Sequence, residues 1–168
     1  MIVVSNASPL IILAKLGLFD LPHQLFTSIT IPQEVWNEIV VQGAKLPGST
    51  ETEEANQLGW LHIAEVANVP QLTLWKDRYA LGAGELATIL LAKELLADIA
   101  LIDEQRARSL ARSEGVPVLG TVGLLELGYR RGVVADLRQV YQEMLQQGAR
   151  IDQRILNQSL AAFHLPQL

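Results

Sequence analysis

Four oxygen-bearing side chains are the candidates for chemistry in this sequence: Asn6, Glu38, Glu85 and Asp103. The asparagine follows the apolar run Ile2–Val4, and the aspartate follows the apolar run 99–102. If these runs are neighbouring parallel strands, both side chains lie at the same edge of a sheet. Carboxylate and amide oxygens are the ligands that Mg²⁺ and Mn²⁺ prefer. Convergence of the four side chains would therefore create a site for a hard divalent cation.

Each of these side chains, taken alone, also has a purely structural explanation. Aspartate is favoured at helix N-caps, so Asp103 is a candidate cap. Glu85 is expected in the first turn of a helix, where a negative charge complements the helix dipole, and the same explanation applies to Glu34. Glu38 is explained as ordinary helix surface, and Asn6 by a local turn hydrogen bond. Only the set of four points to a site.

The chain alternates short β-branched runs with helical patterns. The pattern predicts strands at residues 2–4, 28–31, 60–66, 99–102 and 117–119. It predicts helices at residues 9–16, 19–26, 32–43, 81–97, 104–113, 121–131, 136–147 and 152–163. Ser8 and Pro9 are the predicted cap and first residue of the first helix. The polar stretch 44–56 is interpreted as a loop that enters an acidic helix.

This order of strands and helices predicts an α/β fold, a three-layer α/β/α sandwich with a central parallel sheet. We expect a single domain over residues 1–168, with the helices at about 136–163 as a C-terminal extension. Ligands of such folds bind beyond the carboxyl ends of the strands, where Asn6 and Asp103 are expected.

Composition limits the class of protein. Of the 168 residues, 49% are hydrophobic and 18% are charged, which excludes a disordered chain. The apolar runs are shorter than the roughly 20 residues of a membrane span, and residues 1–16 lack the basic region of a signal peptide. We therefore expect a cytoplasmic protein that does not associate with membranes. Since the chain has no cysteine, disulfides and thiolate zinc sites are excluded.

The net charge of −5 argues against a sequence-independent DNA-binding protein. It does not argue against an enzyme that cuts nucleic acid, because a bound metal reverses the sign of an acidic site.

Five blocks, in order along the chain, resemble the PIN-domain superfamily: VVSNASPLI, IPQEVWNEI, LGAGELATILLAKE, LIDEQRARSLA and VLGTVGLL. More narrowly, they are similar to its bacterial and archaeal PIN-like branch, which is related to toxin–antitoxin ribonucleases. The resemblance covers nearly the whole chain. It implies the three-layer PIN-like fold, an acidic cluster that binds Mg²⁺ or Mn²⁺, hydrolysis of RNA phosphodiesters, and a small antitoxin protein as partner.

Carried over block by block, the resemblance places the acidic positions of the family at Asn6, Glu38, Glu85 and Asp103. The three carboxylates are the expected catalytic residues, and all four side chains are the expected metal ligands. Thr121 matches a small hydroxyl position near the site. Glu104 is an auxiliary ligand in this interpretation, or simply the start of its helix.

Asn6 stands where the wider superfamily prefers aspartate. Asparagine keeps an oxygen ligand but removes a negative charge, so metal affinity should fall and a water held there should be less easily deprotonated. Two hypotheses stay open: a metal-dependent ribonuclease, the toxin of a toxin–antitoxin pair, and a catalytically weak PIN-like module that binds RNA or protein. A receiver-like domain that is phosphorylated on Asp103 is disfavoured, because paired acidic residues do not follow the first strand.

Two further expectations concern partners. Arginines near the site are expected to hold the RNA backbone, with a solvated helix face as the alternative: Arg106, Arg108 and Arg112. The chain is also expected to form a homodimer, because apolar residues such as Leu18, Leu21 and Leu25 look exposed and would need cover.

Overall fold

The computed structural model describes all residues, Met1–Leu168, and has a five-stranded sheet at its centre. The strands are β1 (Val3–Ser5), β2 (Ile29–Pro32), β3 (Leu61–Ala64), β4 (Ile99–Leu101) and β5 (Val118–Leu119). Their order in the sheet is β3-β2-β1-β4-β5, and every neighbouring pair is parallel. The predicted α/β fold with a central parallel sheet is confirmed.

Helices cover both faces of the sheet. They are α1 (Ala7–Lys15), α2 (Leu21–Phe26), α3 (Gln33–Trp36), α4 (Ser49–Leu58), α5 (Val69–Arg78), α6 (Ala83–Glu94), α7 (Gln105–Ser113), α8 (Thr121–Arg130), α9 (Leu137–Gln146) and α10 (Gln153–Ala162). A π-helical segment, Asn37–Gln42, continues α3. None of these helices combines the length and the apolar character needed to cross a membrane.

Two local features differ from the expectation. Helix α1 begins at Ala7 with Asn6 at its N-cap position, so Ser8 and Pro9 lie inside the first turn rather than at its start. Helix α5 was not predicted, because only Leu72 and Trp75 of its ten residues are buried and its sequence has a weak apolar pattern.

The core lies on the two faces of the sheet, and successive strand residues alternate between them. Val3 and Leu101 belong to a cluster of 24 buried residues. Val4 and Ala100 belong to a second cluster of 16 buried residues, on the side of α6 and α7. Tyr141, with other residues of α9 and α10, belongs to the larger cluster, so the C-terminal helices pack into the main core.

The apolar residues that the sequence suggested as a dimer surface pack against other parts of the same chain. Leu21 and Leu25 are 1% and 7% exposed, and Leu18 is half-buried against the larger cluster. Their interpretation as exposed residues was wrong, because α2 turns its apolar face inwards against the core. The prominent exposed apolar residues near α4 are instead Leu46 and Leu58.

The sheet brings the carboxyl ends of β1 and β4 together. Ser5 pairs with Leu101, and the backbone N–H of Asn6 donates a hydrogen bond to the carbonyl oxygen of Leu101 at 3.0 Å. The two strands are thus neighbours, which meets the condition for Asn6 and Asp103 to lie together, and the residues after each strand share one edge of the sheet.

Candidate active site

A cavity of about 1180 Å³ opens at this edge of the sheet. It is bounded by the ends of β1 and β4, by α1, by α3 with its π-helical continuation, and by the N-termini of α6, α7 and α8. The structure brings all the expected ligand and auxiliary residues to this one cavity: Asn6, Glu38, Glu85, Asp103, Glu104 and Thr121.

Asn6 is buried in the floor of the cavity. Its side chain is 4% exposed, and its Oδ1 atom has no hydrogen-bond partner. It stands at the N-cap position of α1 but makes no side-chain capping bond, so the proposed turn bond is absent. A buried acceptor without a donor is unfavourable unless a partner is supplied. Asn6 therefore presents an unused oxygen ligand.

Gly84 lets helix α6 approach Asn6 and Glu38 closely. A Cβ atom at Gly84 would lie 2.8 Å from Glu38 Oε2 and 3.5 Å from Asn6 Oδ1. The first of these distances is too short for a carbon–oxygen contact, so a side chain here would displace the Glu38 carboxylate. This close approach explains the second glycine of the LGAGE block, Gly84.

The carboxylates of Glu38 and Glu85 repel each other in the cavity. Desolvation by burial raises the pKa of Glu38 above its ordinary value, and the negative charge of Glu85 acts in the same direction. Neither carboxylate forms an ion pair, since the two ion pairs of the structure join Lys93 to Glu114 and Arg154 to Asp152. A bound cation would relieve the repulsion.

Glu85 combines its place in the cavity with a structural role. Its Oε2 atom accepts a hydrogen bond from the backbone N–H of Gly82 at 2.7 Å, which closes a capping box at the start of α6. The helix-dipole explanation is therefore compatible with the geometry, and it does not remove Glu85 from the cavity.

Asp103 is held by Thr121. Its Oδ1 atom accepts from the backbone N–H of Thr121 at 2.6 Å, and its Oδ2 atom accepts from Thr121 Oγ1 at 2.7 Å. Asp103 does not cap its own helix, because Glu104 does so by accepting from the N–H of Ala107 at 2.6 Å. The N-cap explanation of Asp103 was wrong for α7.

Of the three expected RNA-binding arginines, only Arg108 lines the cavity. Its Nη1 atom donates to the carbonyl oxygen of Ile102 at 3.0 Å, and a Cβ atom at Gly120 would lie 2.6 Å from it. Arg106 and Arg112 are exposed on α7 and do not line the cavity, so their assignment to the site is not supported by the geometry.

The charge of Arg108 is incompletely balanced. Burial lowers the pKa of its guanidinium, and the charge of Arg112 adds to this effect, whereas Asp103 opposes it. An anionic ligand in the cavity would compensate that charge.

Sequence reasoning missed two further cations and two carboxylates in the cavity, one of which, Asp152, is paired with Arg154. Lys15 and Arg150 line the cavity, and neither forms an ion pair. Glu34 also lines it, and its Oε2 atom is buried without a hydrogen-bond partner. The available signal for Glu34 was its spacing of one helical turn from Glu38, which places both on one helix face.

The donor set fits a hydrated divalent cation. No three acidic or histidine side chains lie close enough to hold an ion by themselves. Mg²⁺, however, usually keeps several waters and binds through one or two carboxylates. The orphaned oxygen of Asn6 and the carboxylates around Gly84 suit that mode of binding.

A sequence model of a family described as a PIN domain matches residues 2–164. The chain belongs to the PIN-domain family. Members of this family are generally nucleases and typically use divalent metals. No curated protein matches the chain.

Proposed function

We propose that this protein is a metal-dependent endoribonuclease that hydrolyses RNA phosphodiesters with Mg²⁺ or Mn²⁺. The main support is the buried, unpartnered Oδ1 atom of Asn6 in a cavity that also contains Glu38, Glu85 and Asp103. An acceptor without a donor, beside carboxylates that repel each other, is a ligand set that a cation completes.

The residues of the cavity have different roles in the proposed reaction. Asn6, Glu38, Glu85 and Asp103 would hold the cation, which when bound supplies the charge that polarises the scissile phosphate and acidifies a water. The carboxylates of this set would also hold the attacking water in place. Thr121 fixes the orientation of Asp103.

Three unpaired cations of the cavity would hold the RNA backbone: Lys15, Arg108 and Arg150. The phosphates of RNA are anionic, and cationic side chains supply most of the affinity of proteins for them. Arg108 is the most constrained of the three, because its Nη1 atom is anchored on Ile102.

We further propose that the protein is the toxin of a toxin–antitoxin pair, is inhibited by a small antitoxin protein and acts as a homodimer. The toxin assignment is supported by the resemblance of the five sequence blocks. The homodimer is supported by exposed apolar residues near α4, among them Leu46 and Leu58. The toxin proposal is tested by expressing the protein: growth should stop, and the product of a small neighbouring gene should restore it. The homodimer is tested by sedimentation at micromolar concentration. A clean monomer would contradict the homodimer.

A second candidate function is a module that binds RNA or protein without cutting it. The neutral Asn6 favours this alternative, as does the engagement of both Asp103 oxygens by Thr121. In this case the protein would bind RNA with or without metal and leave it intact.

RNA cleavage as a function of metal separates the two candidates. Structured and unstructured RNA are incubated with wild type and with Asp103→Asn, in Mg²⁺, in Mn²⁺ and in EDTA. The ribonuclease proposal requires cleavage by wild type that EDTA and Asp103→Asn both abolish. Binding of RNA without cleavage at any metal concentration contradicts it and favours the binding module.

A further inference from the structure

We infer that Glu34 is a further carboxylate of the cation site and supplies the negative charge that Asn6 lacks. The inference rests on the proposed metal-dependent function, and it gives a role to a residue that the sequence pattern explained only by the helix dipole.

The first observation is the state of the Glu34 carboxylate. Its Oε2 atom is inaccessible to solvent and has no hydrogen-bond partner, although the residue lines the cavity. Neither of the two ion pairs in the structure includes it. A buried carboxylate oxygen is unfavourable without a donor or a cation, so this atom requires a partner that the chain does not provide.

The helix dipole does not provide that partner. A first-turn carboxylate normally benefits by contact with free N–H groups at the helix N-terminus. Glu34 Oε2 accepts from none of them. Glu34 and Glu38 also share one face of the helix, and like charges at this spacing destabilise it.

The second observation is that the unsatisfied atoms coincide. Only three buried side-chain polar atoms of the whole structure have no hydrogen-bond partner: Asn6 Oδ1, Glu34 Oε2 and Thr52 Oγ1. The first two line the same cavity. Both are acceptors, so neither oxygen satisfies the other. The waters of a hydrated cation bound in this cavity would be hydrogen-bond donors for acceptors of this kind.

Charge counting gives the same result. Among the four expected ligands, Glu38, Glu85 and Asp103 carry three negative charges, and Asn6 carries none. Adding Glu34 to this set makes four, which is the number that an aspartate at position 6 would give. A carboxylate in the first turn of α3 would thus replace the charge that is absent at the end of β1.

Titration of purified protein with MnCl₂ tests this role directly. Isothermal titration calorimetry is carried out on wild type, Glu34→Gln and the control Glu53→Gln, which removes an exposed charge of α4 outside the cavity. Loss of an outer-shell partner typically weakens metal binding by about 10- to 100-fold. We expect that loss in Glu34→Gln and unchanged affinity in Glu53→Gln.

Thermal unfolding adds a readout that does not depend on catalysis. In EDTA, Glu34→Gln should melt at a higher temperature than wild type, because the substitution removes one of the like charges on this helix face and with it the repulsion between Glu34 and Glu38. The increase in Tm caused by MnCl₂ should be smaller in Glu34→Gln. Glu34→Ala is the second variant, should glutamine at this position prevent folding.

The outcomes separate the two proposals. Wild-type affinity for Mn²⁺ in the folded Glu34 variants overturns the role of Glu34 and leaves the proposed function standing. Absence of Mn²⁺ binding by wild type overturns both. The double variant Asn6→Asp with Glu34→Gln restores four charges, so its affinity should return to within a few-fold of wild type. A double variant as weak as Glu34→Gln overturns the exchange of charge between these positions.

Discussion

Thr121 donates both its backbone N–H and its hydroxyl to Asp103, at 2.6 Å and 2.7 Å. The two bonds join the end of β4 to the first residue of α8, and they hold the carboxylate in one orientation before any ligand binds. Residues whose rotamers are fixed in this way keep a site preorganised. Asp103 is thus held through both of its carboxylate oxygens.

The hydrogen bonds between Thr121 and Asp103 predict that two substitutions of Thr121, which is 2% exposed, will differ in stability. Thr121→Val keeps the shape of the side chain but removes the hydroxyl donor to a charged oxygen, so the free energy of unfolding should fall by about 1–2 kcal/mol. Thr121→Ser keeps the hydroxyl and should lose less. Urea unfolding of both variants measures the difference. Equal losses would mean that the hydroxyl bond contributes nothing.

Asp103→Asn should abolish RNA cleavage. It removes one negative charge from the cation site, while Oδ1 remains available to the backbone N–H of Thr121. The fold should therefore survive, which circular dichroism and a melting curve would check. If Asp103→Asn cuts RNA as well as wild type, the observed activity belongs to a contaminant or to another site.

Asn6→Asp should tighten binding of Mg²⁺ or Mn²⁺ and raise cleavage at low metal concentration. The substitution adds a charge to a buried, unpartnered position, so the Tm in EDTA should fall because the carboxylates repel each other. Cleavage rate against metal concentration is the measurement. If wild type is inert at every concentration while Asn6→Asp cuts, the natural protein is the binding module.

The raised pKa of Glu38 predicts a pH dependence of stability. The carboxyl binds its proton more tightly in the folded chain than in the unfolded chain, so without metal the free energy of unfolding falls as the pH rises through these two pKa values. Above both, the charged carboxylate destabilises the fold. Glu38→Gln should accordingly be more stable than wild type in EDTA at pH 7. The difference in stability between Glu38→Gln and wild type should shrink at a pH below the unfolded-state pKa of Glu38. If Glu38→Gln is stabilised equally at both pH values, the pKa of Glu38 is not raised in the folded protein.

Gly84→Ala should reduce activity more than stability. Alanine in a helix is normally favoured over glycine by roughly 0.5–1 kcal/mol. Here, however, the new Cβ would lie 2.8 Å from Glu38 Oε2, so the carboxylate must move. We expect weaker metal binding and slower cleavage, measured by calorimetry and by the cleavage assay. Unchanged metal affinity would show that the position of Glu38 is unimportant.

The sheet could be predicted from the sequence because each strand is a short apolar run with a turn or helix signal after it. Helix α5 was missed because a surface helix with two buried residues has almost no apolar periodicity. The π-helical segment that carries Glu38 was missed for another reason. It differs from an α-helix only in its hydrogen-bond spacing, which the pattern of side chains does not reveal.

The site was predictable where a residue follows a strand, since Asn6 and Asp103 meet whenever β1 and β4 are neighbours. Lys15, Arg150 and Glu34 were not predictable in this way. They reach the cavity from helices or loops whose packing depends on the whole tertiary structure. The presence of Arg108 in the cavity, rather than Arg106 or Arg112, likewise depends on which face of α7 packs on the sheet.

The position of β1 in the middle of the sheet has a consequence for biosynthesis. Strand β1 is paired on one side with β4, whose residues are made about a hundred positions later. The carboxylate of Asp103 is held in place only after Thr121 has been made and donates its two hydrogen bonds. Such distant pairings make folding slow. A nascent chain that ends between residues 103 and 121 contains all four expected ligands, Asn6, Glu38, Glu85 and Asp103, but lacks the residue that holds Asp103. The cavity is therefore assembled only after Thr121 has been made.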